Sequence, residues 1–260
     1  GRFPVLAKTS RNLRMNMSSR KARARWIVLI AVVFTVVSYQ VPHGYYVVYP
    51  MMLLSTYAHE MGHGLAAMLT GGSFESFVMY ADGSGAALTR TSSGLARAIT
   101  AAGGLVGPAL LGAVMFVAAS RARFARAVLT GFAALVTISL ILVVRNGFGW
   151  IFLGVVVAVV FFVARRGSAL AAQTVLAFIA AQMSASVFAR SDYLFTATAR
   201  TAQGPMPSDV AQIAEVLLLP YWVWGAVCGA FSVAVLIVGL TVFWKQTAPP
   251  EPRTPQTKGP

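Results

Sequence analysis

The chain has 260 residues, of which 57% are hydrophobic and 11% are charged, and its mean hydropathy is +0.71. A soluble globular domain carries about 25% charged residues, so this composition excludes one. The runs 127–144 and 169–189 contain no charged residue, and each is long enough to cross a bilayer as a helix, which takes roughly 17–25 residues. We therefore predict an all-α integral membrane protein with about seven (six to seven) transmembrane helices.

The net charge of +14 is concentrated at the start of the chain. Eight of the 21 basic residues fall within residues 1–25, and no acidic residue precedes Glu60. A polybasic flank directly before an apolar helix is typical of a cytoplasmic segment held against anionic lipids. This placement favours the lipid bilayer over nucleic acid as the partner of the basic residues, and we predict no nucleic-acid binding.

The apolar runs follow one another through the rest of the chain. Residues 26–245 form the predicted polytopic membrane domain, in the inner or plasma membrane of the cell, and residues 246–260 form a Pro-rich tail predicted to be disordered. The predicted spans are 26–41, 46–69, 98–119, 127–144, 148–164, 169–189 and 216–243.

Seven spans also predict on which side each loop lies. With the basic N-terminal segment in the cytoplasm, the loops at 70–97, at Arg145 and at 190–212 are expected inside, and the loops 120–126 and 165–167 outside. This arrangement leaves the five arginines of the last two loops facing outward, against the usual charge rule. Within 70–97, β-favouring residues flank an Asp-Gly-Ser-Gly turn signal, so we predict a small β-hairpin at the membrane edge.

One motif in the second span indicates chemistry. Residues 58–64 read Ala-His-Glu-Met-Gly-His-Gly, an H-E-x-x-H pattern. In a helix His59 and His63 share one face and can bind one Zn²⁺, while Glu60 is rotated by about 100° and can act as general base on a water at the metal. Ionisable residues inside a membrane segment mark function by default. A buried, purely structural His-Glu-His set is the alternative.

A catalytic zinc site normally has three protein ligands, so one ligand is missing from this motif. The positions of the remaining acidic residues leave Asp192, Asp209 and Glu215 as candidates. We favour Asp192 because it follows the sixth span, which is expected to run parallel to the second. Asp209 follows Pro-Met-Pro-Ser and is typical of a helix N-cap. All three remain open at this point.

Two further polar or small-residue features lie near these spans. Asn146 is either an oxyanion donor or part of a helix C-terminus, and its Arg-Asn-Gly context favours the C-terminus. Gly103, Gly104 and Gly107 are typical of close packing between membrane helices.

The H-E-x-x-H helix, the Gly71-Gly72 turn, the short hairpin and the Gly-rich span with Gly107-Pro108 resemble the site-2 protease family of intramembrane zinc metallopeptidases. The resemblance is to its compact bacterial branch, without a PDZ domain. It implies that His59 and His63 bind Zn²⁺, that Glu60 is the catalytic base and that Asp192 is the third ligand. The family's aspartate lies in an Asn-Pro-Asp-Gly or Leu-Asp-Gly context, whereas this chain has Ser191-Asp192-Tyr193.

The resulting hypothesis is a zinc metalloendopeptidase that hydrolyses peptide bonds of membrane-embedded protein substrates. The resemblance implies a role in regulated intramembrane proteolysis. The alternative is a non-catalytic membrane scaffold with a structural zinc or a degenerate peptidase site. A zinc transporter is a third possibility, but the chain lacks the several intramembrane carboxylates expected of a metal pathway.

Overall fold

The protein is built almost entirely from helices. The structure, a computed structural model, describes residues 22–247 apart from 36, 39–40, 93, 190 and 202–203. The predicted basic segment therefore lies almost wholly outside the described residues, as does the Pro-rich tail beyond Thr247. The helices are α1 (22–35), α2 (Gly44–Leu69), α3 (Leu95–Ala119), α4 (Ala122–Leu142), α5 (Gly147–Arg166), α6 (Ala169–Ala189), α7 (Asp209–Leu217) and α8 (Tyr221–Gln246).

Five of these helices, α3, α4, α5, α6 and α8, are long and apolar enough to cross a membrane. The protein is therefore a multi-pass membrane protein, but the predicted count of seven spans is not confirmed in the described part of the chain. The helix α2 has the length of a span, yet its polar motif lowers its hydropathy. The predicted span 216–243 is divided, because the separate helix α7 ends at Leu217 and α8 begins only at Tyr221.

Two small antiparallel hairpins lie between the helices. The first pairs β1 (Ser73–Met79) with β2 (Gly85–Arg90) and confirms the hairpin predicted within 70–97. The second pairs β3 (Thr198–Thr201) with β4 (Gly204–Pro207) and was not predicted. Its strands have four residues each, and β4 contains two prolines, which strands usually exclude.

One edge of the first hairpin is covered by another segment, and in the described part of the chain no further strand pairs with its other edge. On the covered edge, Phe77 N–H donates to the Val143 carbonyl at 2.7 Å, and its own carbonyl accepts from Arg145 N–H at 2.9 Å. The Asn146 side-chain amide bonds both backbone groups of Met79. The segment that joins α4 to α5 therefore completes the edge of β1, and the backbone groups of β2 that point away from β1 form the free edge.

Helix α3 lies at the centre of the bundle, in contact with α2, α6 and α8. Glycines allow α2 and α3 to approach closely, as predicted from the Gly-rich span. A Cβ on Gly62 would lie 2.2 Å from the Gly103 carbonyl oxygen, and one on Gly107 would lie 2.7 Å from the Ala58 carbonyl oxygen. Any side chain at these positions would separate the two helices, and with them the motif on α2 from its supports on α3.

Hydrogen bonds bring the start of α1, the α3–α4 turn and the end of α8 together at one end of the bundle. The Arg25 guanidinium donates to the Trp244 carbonyl at 2.8 Å and lies over the Trp244 ring. The Arg121 side chain donates to Gln246 Oε1 at 2.9 Å. We call this the basic end.

The α5–α6 turn belongs to the same end, because Arg126, near the start of α4, donates to the Gly167 carbonyl at 2.6 Å. The expectation that the loops 120–126 and 165–167 lie opposite the N-terminal segment is therefore wrong. It assumed that two full spans precede the hairpin, whereas α1 and α2 together make one net crossing from the basic end to the start of α3.

Candidate metal centre

The centre begins with the two histidines of α2. His59 and His63 lie one helical turn apart, and their ring centroids are 4.7 Å apart with the rings nearly perpendicular. The two Nε2 atoms face each other at 3.1 Å. The predicted placement of both imidazoles on one face of a helix is confirmed.

Helix α3 fixes the orientation of His63. Its Nδ1–H donates to the Thr100 carbonyl at 2.8 Å, which leaves the Nε2 lone pair directed into the centre. Gly104 lies directly against the same ring, since a Cβ there would be 2.2 Å from Nε2 and Cε1. The missing side chain at Gly104 is what allows the imidazole to occupy this position.

A third polar side chain, Asp209, completes the group. Its Oδ2 lies 3.2 Å from His59 Nε2, and its Oδ1 lies 3.4 Å from His63 Nε2. The residue is only 4% exposed. Burial alone would raise the pKa of the Asp209 carboxyl, but the charges and hydrogen bonds of His63 and His59 hold that pKa below its usual range.

The spacing of these donor atoms fits a zinc ion. Zinc binds imidazole nitrogen and carboxylate oxygen at about 2.0–2.2 Å in tetrahedral geometry, which places neighbouring ligand atoms about 3.3 Å apart. The three separations between these residues, two of which end on different oxygens of Asp209, run from 3.1 to 3.4 Å. Within the described residues, His59, His63 and Asp209 are the group of potential ligands that meets at one point, and a fourth position would remain for water or substrate.

Asp209 reaches the centre because Ser208, and not Asp209, caps α7. Ser208 Oγ accepts from Ala211 N–H at 3.2 Å and donates to the Thr196 carbonyl at 2.6 Å. Asp209 is then the first residue of the helix, with its side chain directed at the histidines. The interpretation of Asp209 as the N-cap was wrong by one residue. The sequence carries a signal for this arrangement, because Ser208 directly precedes Asp209 and serine is as good an N-cap residue as aspartate.

The favoured third ligand, Asp192, lies in a short 3-10 helix, Ser191–Phe195. Its side chain falls outside the described residues, so its proposed role is untested. Glu215, the remaining candidate, forms an ion pair with Arg97 at 2.8 Å and is half exposed. Asn146 lies at the N-cap position of α5 and not at the end of α4, so the predicted C-terminus was wrong, and its side-chain amide bonds Met79, as described above.

Glu60 lies next to the histidines and is 7% exposed. Its Oε2 accepts from the backbone N–H of Ala87 at 2.8 Å. This N–H belongs to the free edge of β2, and Gly85 on the same strand packs against the Glu60 stem. The hairpin therefore holds the carboxylate beside the three donor atoms.

These groups open into a common cleft of about 280 Å³. One wall is the free edge of β2, the other is formed by the second hairpin and α7, and the histidines lie at its base. The lining residues beyond the centre itself include Gly85, Ala87, Thr89, Arg97, Tyr193, Ala199, Met206 and Gln212.

Comparison with known proteins agrees with this geometry. The family model described as Peptidase M50B-like matches residues 26–239. No curated protein and no solved structure matches the chain significantly. The match covers four of the five apolar helices and most of α8, together with both hairpins and the candidate metal centre, in agreement with the resemblance to site-2 proteases. The chain is thus a multi-pass membrane protein that belongs to the Peptidase M50B-like family of metallopeptidases.

Proposed function

We propose that the protein is an intramembrane zinc metalloendopeptidase that hydrolyses peptide bonds of membrane-embedded proteins. In this proposal His59, His63 and Asp209 hold the zinc, and Glu60 is the general base. The observation that supports it most directly is the meeting of the two histidine Nε2 atoms, 3.1 Å apart, with the Asp209 carboxylate, whose two oxygens lie 3.2 and 3.4 Å from them, beside the buried Glu60 in an open cleft.

The chemistry divides between the metal and this chain. A zinc ion held there supplies Lewis acidity, which polarises a scissile carbonyl and makes a water molecule easier to deprotonate. Glu60 accepts the proton as the water oxygen bonds to the carbonyl carbon. The same carboxylic acid then donates that proton to the amide nitrogen as the C–N bond breaks, so that Glu60 returns to its starting state.

The free edge of β2 supports binding of the substrate as an extended strand. Peptide bonds in a transmembrane helix are hydrogen-bonded and shielded, so the helix must unwind before cleavage. A substrate strand added to β2 would recover backbone hydrogen bonds along that edge. Because Ala87 N–H already bonds Glu60, the base is fixed at the same strand on which the scissile bond would lie.

Activity of Glu60→Gln tests this proposal. The amide fills the same space but cannot accept the proton, so the variant should bind zinc like the wild type and lose cleavage of fluorescent casein in detergent micelles. Removal of zinc from the wild type with a chelator should also abolish cleavage, and added zinc should restore it.

Glu75→Gln is the matched control, because Glu75 pairs with Arg90 on the first hairpin and not with the metal ligands. It should retain both zinc and activity. Cleavage by Glu60→Gln within a few-fold of wild type would contradict the role of Glu60. A zinc-loaded wild type that cleaves neither casein nor any single-span membrane protein offered would favour a non-catalytic scaffold.

A further inference from the structure

The basic residues of the chain are distributed unequally between the two ends of the bundle. The described part of the chain holds twelve basic residues, and eight of them lie at the basic end: two at the start of α1, five in the α3–α4 and α5–α6 turns, and Lys245 near the end of α8. The other four lie in segments at the opposite end, namely Arg90, Arg97, Arg145 and Arg200. In the sequence, six more basic residues directly precede α1.

The acidic residues show the reverse distribution. Of the seven, only Glu251 follows the end of α8, and the remainder lie in α2, the hairpins and the segment from 190 to α7. The charge difference between the ends is therefore large, and it lies within a few residues of the apolar helices, where basic residues set the orientation of a membrane protein.

The candidate metal centre lies at the end of the bundle opposite the basic end. Helix α4 starts at the basic end, and at about 1.5 Å per residue its 21 residues extend about 31 Å. The segment directly after it covers the edge of β1. Helix α6 also starts at the basic end, beside Gly167, and the chain after it forms the second hairpin and leads to Asp209.

We propose that the metal cleft opens on the side of the membrane opposite the cytoplasm. The basic end lies in the cytoplasm by its charge, and α4 and α6 each carry the chain across to the cleft. Both hairpins and α7 then face the non-cytoplasmic side. The partner that fits this placement is a membrane protein whose span unwinds near its non-cytoplasmic end, with the part beyond the cut released on that side.

Single-cysteine labelling tests the orientation without any substrate. In a Cys228→Ala background, Ser92→Cys marks the exposed link between β2 and α3, and Ser168→Cys marks the exposed α5–α6 turn. A membrane-impermeant maleimide should label Ser92→Cys fully in intact spheroplasts of the expression host. Ser168→Cys should react only after permeabilisation. A fluorescent-protein fusion to the C-terminus should fluoresce, because α8 ends at the basic end.

The reverse labelling pattern, with Ser168→Cys reactive in intact spheroplasts and Ser92→Cys protected, overturns the proposal. Labelling of both positions in intact spheroplasts also overturns it, because the chain would then lack a single orientation. A single symmetric peak in size-exclusion chromatography of each purified variant reports that it is folded. The result is independent of the proposed function, since an inactive or metal-free protein would still have one orientation.

Discussion

The two halves of the metal centre are built in different ways. His59, Glu60 and His63 come from five consecutive positions of a long helix, and that helix is pressed against α3 through glycines. Asp209 comes from a nine-residue helix at the end of a segment of short elements, and is held there by a cap and an ion pair. The first half is fixed by close packing of two long helices, whereas the second is a short helix held by two buried side chains, Val210 and Ile213, that pack against α3, and by a few polar contacts.

This difference predicts a graded response to substitution. Changes in the α2–α3 half should abolish or strongly weaken metal binding, because a ligand or its packing surface is lost. Changes around α7 that leave Asp209 in place should weaken binding only moderately, because the ligand is still present but less well positioned.

The largest effect is expected for His63→Ala. It removes one of the three proposed ligands outright, so zinc affinity should fall by more than the roughly 10–100-fold that loss of an outer-shell partner costs. His43→Ala is the matched control, because His43 precedes the same helix but lies outside the centre. Zinc content by elemental analysis should be near zero in the first variant and unchanged in the second. Equal zinc in both would remove His63 from the ligand set.

Gly104→Ala tests the packing of the first half without replacing a proposed ligand. The added methyl group would lie 2.2 Å from the His63 ring, so the imidazole must move and zinc affinity should fall by roughly 10-fold or more. Gly131→Ala on α4 is the control, because a Cβ there meets no atom within 4 Å. Chelator competition measures both affinities, and an unchanged value for Gly104→Ala would show that this contact does not position His63.

The smallest effect is expected for Ser208→Ala in the second half. Loss of an N-cap costs about 1 kcal/mol, which corresponds to roughly a fivefold loss of zinc affinity if it falls on the positioning of α7. Ser168→Ala removes a similar bond, from Ala171 N–H, at the start of α6 and far from the centre. Chelator competition should show weaker zinc binding by Ser208→Ala than by Ser168→Ala. Equal affinities would mean that the cap does not position Asp209.

The sequence predicted the parts of the centre that depend on local geometry. An i, i+4 histidine pair on a helix needs only helical periodicity, and the turn residues of the first hairpin specify it within a few positions. Asp209 could not be chosen over Asp192 and Glu215 in this way. Its position depends on where a short helix docks, and one residue at the cap decides which side chain faces inward.

The predicted orientation of the loops was wrong for a related reason. Counting apolar runs treats α1 and α2 as two full crossings, whereas contacts of Arg25 with α8 show that they make one net crossing. The sequence-based arrangement left five arginines facing outward, against the charge rule, and this conflict indicated the error. In the structure they lie with the start of α1 at the basic end, in agreement with the charge rule.

The most direct test of the centre is a comparison of zinc binding by Asp209→Asn and Asp192→Asn. The two substitutions remove the same charge from two aspartates that both follow α6. Elemental analysis and chelator competition on the purified proteins should show a large loss of zinc in Asp209→Asn, because an amide is a poor replacement for a carboxylate beside a dication. Asp192→Asn should bind zinc like the wild type. Retention of zinc by Asp209→Asn together with its loss from Asp192→Asn would contradict the His59–His63–Asp209 centre.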